Sequence, residues 1–309
     1  MTKIYLITGF LGSGKTSFLQ NVLDNDTSRS GVLMNEFGSI SIDSSLVQRK
    51  DMDMIELTNG SIFCSCLKNN FIESLRILIE RKLENLYIES SGLADPANML
   101  TIIDLLTEQC SHDFTYEGSI CIIDGLHFMK EINMMVSVEN QIKHSKIILL
   151  NKMDLISPEL ATEIKNKLRS INNQAPIYEM VNGRIDFNSL KFSAIITNEA
   201  GESSNTTENR PKTIIIKLKD NNISIDDIIT TINFLKEFCY RIKGFITIEG
   251  ITYKIDTVNE KLDVIQYKHT SEKFDDQTLV LISKIGIGII SKILTFIQQS
   301  LKNKIDIIS

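Results

Sequence analysis

The segment Gly9-Phe-Leu-Gly12-Ser13-Gly14-Lys15-Thr16 constrains this chain more than any other. It follows the apolar run Ile4-Tyr5-Leu6-Ile7 and opens onto a stretch with Phe18, Leu19, Val22 and Leu23 at helical spacing. Strand, glycine-rich loop, helix is the order a phosphate cradle needs. Glycines let successive backbone N–H groups turn inward, and the helix N-terminus favours an anion there. Gly9, Gly12, Ser13, Gly14, Lys15, Thr16 and Ser17 are the expected nucleotide contacts. Lys15 is expected to reach the β- and γ-phosphates and the Thr16 hydroxyl to ligate Mg²⁺. The bland alternative is a glycine-rich turn with an incidental lysine; the strand before and the helix after argue against it.

From residue 1 to 197, strand-like runs alternate with helical patterns. The runs are Ile4–Ile7, Gly31–Met34, Asn85–Ile88, Ser119–Ile123 and Ile147–Leu150. They are continuously apolar rather than alternating, as in a parallel sheet covered on both faces. The expected fold class is α/β, a doubly wound, mostly parallel sheet, followed by a second, smaller α+β domain. Residues 198–212 (NEAGESSNTTENRPK) lack apolar periodicity and read as a polar linker, leaving residues 213–309 for the second domain. Leu279 to Ile297 imitates a membrane span. Lys284 and Lys292 interrupt it, and Ile289, Ile290, Ile293, Ile297 and Leu301 recur at helical spacing, so a strand running into an amphipathic helix is expected.

Charge and cysteine content narrow the setting. With a net charge of −6, no basic nucleic-acid footprint is expected. Five irregularly placed cysteines, Cys64, Cys66, Cys110, Cys121 and Cys239, do not make a disulfide framework, which fits a reducing cytoplasm. No secretory signal and no membrane association are expected, because the first apolar stretch is short and runs into the phosphate loop.

Two further motifs sit at strand ends. Asn151-Lys152-Met153-Asp154 follows Ile147–Leu150. An Asn-Lys-x-Asp loop there reads guanine, since the Asp154 carboxylate can accept from the base N1–H and exocyclic amine, a pattern adenine lacks. Glu89-Ser90-Ser91-Gly92 closes the run Leu86-Tyr87-Ile88. Glu89 is a candidate to hold Mg²⁺ through water or to orient the attacking water, and the Gly92 N–H to register the γ-phosphate. Lys15, Glu89 and Gly92 are therefore the candidate catalytic residues. Asn35-Glu36-Phe37-Gly38 and Ile42-Asp43 occupy a switch-like loop, with Asp43 a Mg²⁺-side or water-positioning carboxylate and Glu36 a ligand for a different metal.

These motifs together resemble the CobW-like family of metallochaperone GTPases, relatives of the hydrogenase and urease nickel-insertion GTPases. The matching stretches are ITGFLGSGKT, NEFG…ID, ELTNGS…C, IESSGLADP, IIDG, QIKHSKIILLNKMDL and RIKGFITIEG, in family order. The resemblance implies a GTPase domain with a CobW-type C-terminal domain, GTP and Mg²⁺ as ligands, and slow hydrolysis coupled to metal delivery or client maturation. The cargo would be a transition metal of the zinc or cobalt class, and the partner a client metalloprotein or metal-dependent enzyme. Relatives of this class also form nucleotide-dependent homodimers.

The thiol segment departs from the family pattern. The family's Cys-x-Cys-Cys signature follows Asn-Gly; after Asn59-Gly60 this chain has Ser61-Ile62-Phe63-Cys64-Ser65-Cys66. Only Cys64 aligns without gaps, and Cys66 is an extra thiol. Cys64 and Cys66 supply two soft ligands, Glu36 an oxygen, and water or a client residue would complete an open shell. The other reading leaves both as unligated thiols. His112, His127, His144 and His269 are scattered and read as surface or partly packed residues, with Cys110 close to His112. Arg241, Lys243 and Gly244 match the family's C-terminal pattern; the bland reading is a strand entry with exposed basic residues. A regulatory GTPase that binds a partner but carries no metal is the alternative function. A small-molecule kinase would leave the guanine reader unexplained.

Overall fold

The computed structural model describes residues 1–35, 53–57, 68–133, 135–192, 211–219, 223–258, 261–267, 277–284, 286, 288–301 and 305–308. Two compact units divide the chain, Met1–Thr206 and Thr207–Ser309.

In the first unit the strands are β1 (Thr2–Thr8), β2 (Ser30–Asn35), β3 (Asp53–Leu57), β4 (Asn85–Glu89), β5 (Phe114–Asp124), β6 (Ile147–Asn151) and β7 (Ile177–Glu179). They pair in the order β3-β2-β4-β1-β5-β6-β7, every pair parallel. The helices are α1 (Lys15–Asn25), α2 (Lys68–Glu80), α3 (Met99–Gln109), the single turn α4 (Phe128–Glu131), α5 (Val136–Lys143) and α6 (Pro158–Ile171). Alternate residues of one strand feed two cores. Ile4 and Leu6 pack with Phe71, Leu75, Leu78, Ile102 and Leu106 from α2 and α3. Tyr5 and Ile7 pack with Phe18, Leu19, Val22 and Leu23 from α1. Burial on both faces explains the unbroken apolar runs, each such side chain contributing about 1.5–3 kcal/mol. The fold is the doubly wound α/β class. Strands β3 and β7 are additions to the sequence reading, for they are short and half-buried at the sheet's edges.

The chain leaves β1 for β2 and β3, returns to β4 between β2 and β1, then crosses to β5 on the far side of β1. That reversal opens a crevice at the carboxyl ends of β1, β4 and β5, the usual ligand position in such sheets.

The second unit contains β8 (Thr213–Leu218), α7 (Ile225–Leu235), β9 (Cys239–Ile248), β10 (Ile251–Val258), β11 (Lys261–Gln266), β12 (Gln277–Ser283), α8 (Ile289–Leu301) and β13 (Ile305–Ile308). Its strands form an antiparallel sheet, β11-β10-β9-β12-β8-β13. Ile228, Ile232 and Leu235 of α7 and Ile293, Ile297 and Leu301 of α8 share its core. Ser224 and Asp227 form a reciprocal capping box that starts α7. The apolar stretch 279–297 thus divides between a strand and a helix. Among the described residues no helix is long and apolar enough to cross a membrane.

Arg241 and Lys243 correct the picture of an exposed basic strand entry, because both lie inside β9. Arg241 forms a two-pronged ion pair with Asp256 of β10, at 3.0 and 2.9 Å, and Lys243 is buried. A Cβ on Gly244 would meet Thr278 O at 2.0 Å, so the approach of β12 requires glycine there.

Candidate functional site

The loop after β1 curls because Gly9, Gly12 and Gly14 adopt φ of 141°, 76° and 102°, values that L side chains resist. A Cβ on Gly9 would lie 2.3 Å from Ile122 O, and one on Gly14 would lie 2.4 Å from Asn151 Nδ2. Ser13 N closes the turn on Phe10 O at 3.2 Å, and Phe18 N bonds Gly14 O as α1 begins. Lys15 is buried, and its Nζ donates to Gly9 O and Phe10 O at 2.8 and 2.9 Å. Ser17 is exposed on the first turn of α1.

Seventy-three residues later in the chain, the Glu89 carboxylate meets this loop: Thr16 Oγ1 donates to Glu89 Oε1 at 2.7 Å. Register explains the meeting, since Ile7 of β1 lies opposite Glu89 of β4 and Ser90 N bonds Ile7 O. The side-chain oxygens of Thr8, Ser13, Ser90 and Ser91 are buried around the same crevice without a hydrogen-bond partner, as is usual where a polar ligand supplies the missing bonds. Gly92 touches the loop directly, for a Cβ there would lie 2.7 Å from Leu11 N. Gln141 of α5 holds the segment behind it, donating to Ala94 O at 2.8 Å. Asn140 donates to the buried Asp95.

At the end of β6, Asn151 is buried and bridges two loops. Its Nδ2 donates to Ser13 O at 2.8 Å and its Oδ1 accepts from Gly183 N at 3.2 Å. Lys152 stands in the left-handed region, φ 63°, and donates to Asp124 Oδ2 at 2.7 Å. Asp154 is exposed in the short 3-10 turn Met153–Leu155. The structure thus brings Glu89, Gly92 and Asn151 against the loop Gly9–Thr16, with Lys152 held on Asp124, while Ser17 and Asp154 are exposed. Glu36, Asp43, Cys64 and Cys66 lie outside the described residues.

Sequence reasoning passed over Asp124, Asn140 and Gln141. Asp124 was visible only as the acid of IIDG at a strand end; its side chain also accepts from Leu126 N and faces His127 Nδ1 at 2.9 Å. A second cleft, of about 850 Å³, lies away from the phosphate loop at the amino ends of β1 and β4. Within it Asp26 accepts from Ser28, Ser30, Asn85 and Tyr87. Burial alone would raise the Asp26 carboxyl, but these hydrogen bonds outweigh it and hold it below the usual range.

Residues 3–179 match the family model described as CobW/HypB/UreG, nucleotide-binding domain. The chain is 30% identical over 228 residues to the zinc chaperone YjiA of Escherichia coli, covering 72% of this chain and 69% of that protein. It is 32% identical over 222 residues to zinc-regulated GTPase metalloprotein activator 1 of Schizosaccharomyces pombe, covering 66% and 51%. Against the zinc chaperone CobW of a Sinorhizobium species it is 28% identical over 212 residues, covering 58% and 59%. The chain thus spans between about half and about two thirds of the length of these relatives. With its family match extending over more than half of its length and its phosphate loop built at the switch point of a doubly wound sheet, this chain belongs to the CobW/HypB/UreG family.

Proposed function

We propose that this chain binds and hydrolyses GTP and couples hydrolysis to delivery of a transition metal, of the zinc class, to a client metalloprotein. The observation that carries the GTP half is the bridge from Asn151 to Ser13, which ties an Asn-Lys-x-Asp loop to the phosphate loop. Zinc chaperones and zinc-regulated activators among the relatives support the metal half.

In this reading the inward-turned amides of Gly9–Gly14 and the first turn of α1 bind the phosphates. The Lys15 ammonium exchanges its two loop carbonyls for β- and γ-phosphate oxygens. Thr16 and Glu89 offer two hard oxygens 2.7 Å apart, a donor set that suits Mg²⁺; when bound, that ion neutralises charge on the transferring phosphoryl group. Glu89 orients the attacking water, and the Gly92 amide senses the γ-phosphate. Asp154, solvent-facing at the rim, accepts from the guanine edge. Glu36, Cys64 and Cys66 hold the transported metal, and Asp43 completes the Mg²⁺ side. Hydrolysis releases the loops that follow β2 and β4 and with them the metal or client. The protein works in the cytoplasm, and a nucleotide-dependent homodimer is part of the proposal.

Ser61 and Phe63, standing where the family carries cysteines, favour a second reading: a partner-binding GTPase that carries no metal. One experiment separates the two. Zinc is titrated into the protein with a non-hydrolysable GTP analogue and with GDP, then into Cys64→Ser/Cys66→Ser. A difference in zinc affinity between the two nucleotide states that is lost in the variant supports delivery, whatever zinc binding the variant retains. Equal affinity in both nucleotide states rules it out. For the base, Asp154→Asn should erase the preference for GTP over ATP.

A further inference from the structure

Beyond the nucleotide loops, Asp124, His127 and Glu131 bring three metal-ligating side chains together at the carboxyl end of β5. One ligand atom from each lies within 4.8 Å of the others. The backbone explains the convergence. Asp124 ends β5, His127 precedes the single turn α4, and Glu131 closes that turn, with Glu131 N bonded to His127 O. Asp124 and Glu131 are 1% and 3% exposed, while the His127 side chain is 28% exposed. Asp124 already carries the Lys152 ammonium, and the partly exposed imidazole leaves a route for a second cation to reach the cluster.

We propose that Asp124, His127 and Glu131 form a zinc-class cation site, separate from the thiol segment, which competes with Lys152 for the Asp124 carboxylate. Two carboxylate oxygens and one imidazole nitrogen make an open, three-ligand set with a position left for water or a transferring group. Four-coordinate zinc spaces its ligands about 3.3 Å apart. The Asp124–His127 pair, at 2.9 Å, has to open by a few tenths of an ångström, and Glu131 has to close in, each by rotation about its χ angles. Lys152 is the conflict. Its ammonium occupies Asp124 Oδ2 at 2.7 Å, the same oxygen that faces His127. An ion there turns its positive charge against that ammonium, and the Asn151–Asp154 loop loses the contact that holds Lys152. This second consequence rests on the guanine reading of that loop; the metal site itself does not.

The test uses the full chain carrying Cys64→Ser/Cys66→Ser, so that the thiols contribute nothing. Zinc titration should show one bound equivalent, and cobalt should give the weak visible bands of oxygen and nitrogen ligands without thiolate charge transfer. Adding His127→Ala, or the near-isosteric Glu131→Gln, should weaken zinc about tenfold or more, with the thermal midpoint reporting that the fold persists. In the same thiol-free background, zinc should weaken binding of a fluorescent GDP by several-fold, and His127→Ala should remove that effect. No zinc binding without the thiols, or binding indifferent to both substitutions, overturns the site. Zinc binding that leaves GDP affinity unchanged overturns the competition with Lys152, while a failure of the guanine reading appears separately, as equal affinity for GDP and ADP without zinc.

Discussion

Asn151 donates its side-chain amide to the Ser13 carbonyl at 2.8 Å, across 138 positions of sequence. The same side chain accepts from Gly183 N. One buried residue thereby holds the phosphate loop, the end of β6 and the Gly183 turn in a fixed relation. The proposed phosphate and guanine halves of the site are mechanically one object.

Asn151→Ala removes both bonds and leaves the Gly183 amide and Ser13 carbonyl inside the protein. Stability should fall by about 1–3 kcal/mol. Affinity for GTP and for GDP should fall together, because the loop that both share is released. Urea unfolding and titration with a fluorescent nucleotide measure the two effects. A loss confined to one nucleotide would count against the bridge.

Gly92 carries a steric duty apart from any contact with a γ-phosphate. A Cβ there would sit 2.7 Å from Leu11 N and 2.9 Å from Leu11 Cα, backbone atoms of the phosphate loop. Gly92→Ala should therefore displace the loop and weaken GDP as well as GTP. Unchanged GDP affinity with weakened GTP would mean that the loop yields to the methyl group and that sensing alone is affected.

Glu89→Gln keeps an amide oxygen for the Thr16 hydroxyl but discards the negative charge. Single-turnover hydrolysis should slow by about a hundredfold or more, while the fold is preserved. Equal hydrolysis by the variant and the parent protein would remove Glu89 from the chemistry.

Alkaline pH should unfold the protein through its buried acids. Burial pushes the Cys121 and Cys239 thiols up to about 12 from 9.0. Tyr5 rises to about 12 from 10.0, chiefly by burial with help from Glu117 and Asp26, and Tyr87 also rises through burial. The unfolded chain ionises first, so it holds fewer protons than the folded one in this range. Stability is whole below about pH 9 and falls as pH rises toward about 12, by about 1.4 kcal/mol per pH unit for each titrating group. Urea midpoints measured from neutral to alkaline pH test this, and a flat profile refutes it. Alkylation of the native protein near pH 8 should spare Cys121 and Cys239.

Most strands and the phosphate loop were legible because their determinants are local. Glycine torsions, apolar runs and helical spacing are written in neighbouring residues. The edge strands Asp53–Leu57 and Ile177–Glu179 were not, since half-buried edge positions carry little apolar pattern. Arg241 and Lys243 looked like surface residues by type. Only pairing with Asp256, two-pronged and part-buried, takes Arg241 into the sheet.

The sequence by itself determined the phosphate loop, the alternation of the inner strands with helices and the family, because each rests on residue types at fixed short spacings. Tertiary structure alone decided which distant residues meet. Sheet register brought Glu89 to Thr16, the end of β6 brought Asn151 to Ser13, and Lys152 reached Asp124 across neighbouring strands. The physical reason is parallel pairing. It aligns the carboxyl ends of strands that lie far apart in sequence, and no local pattern encodes which ends become neighbours.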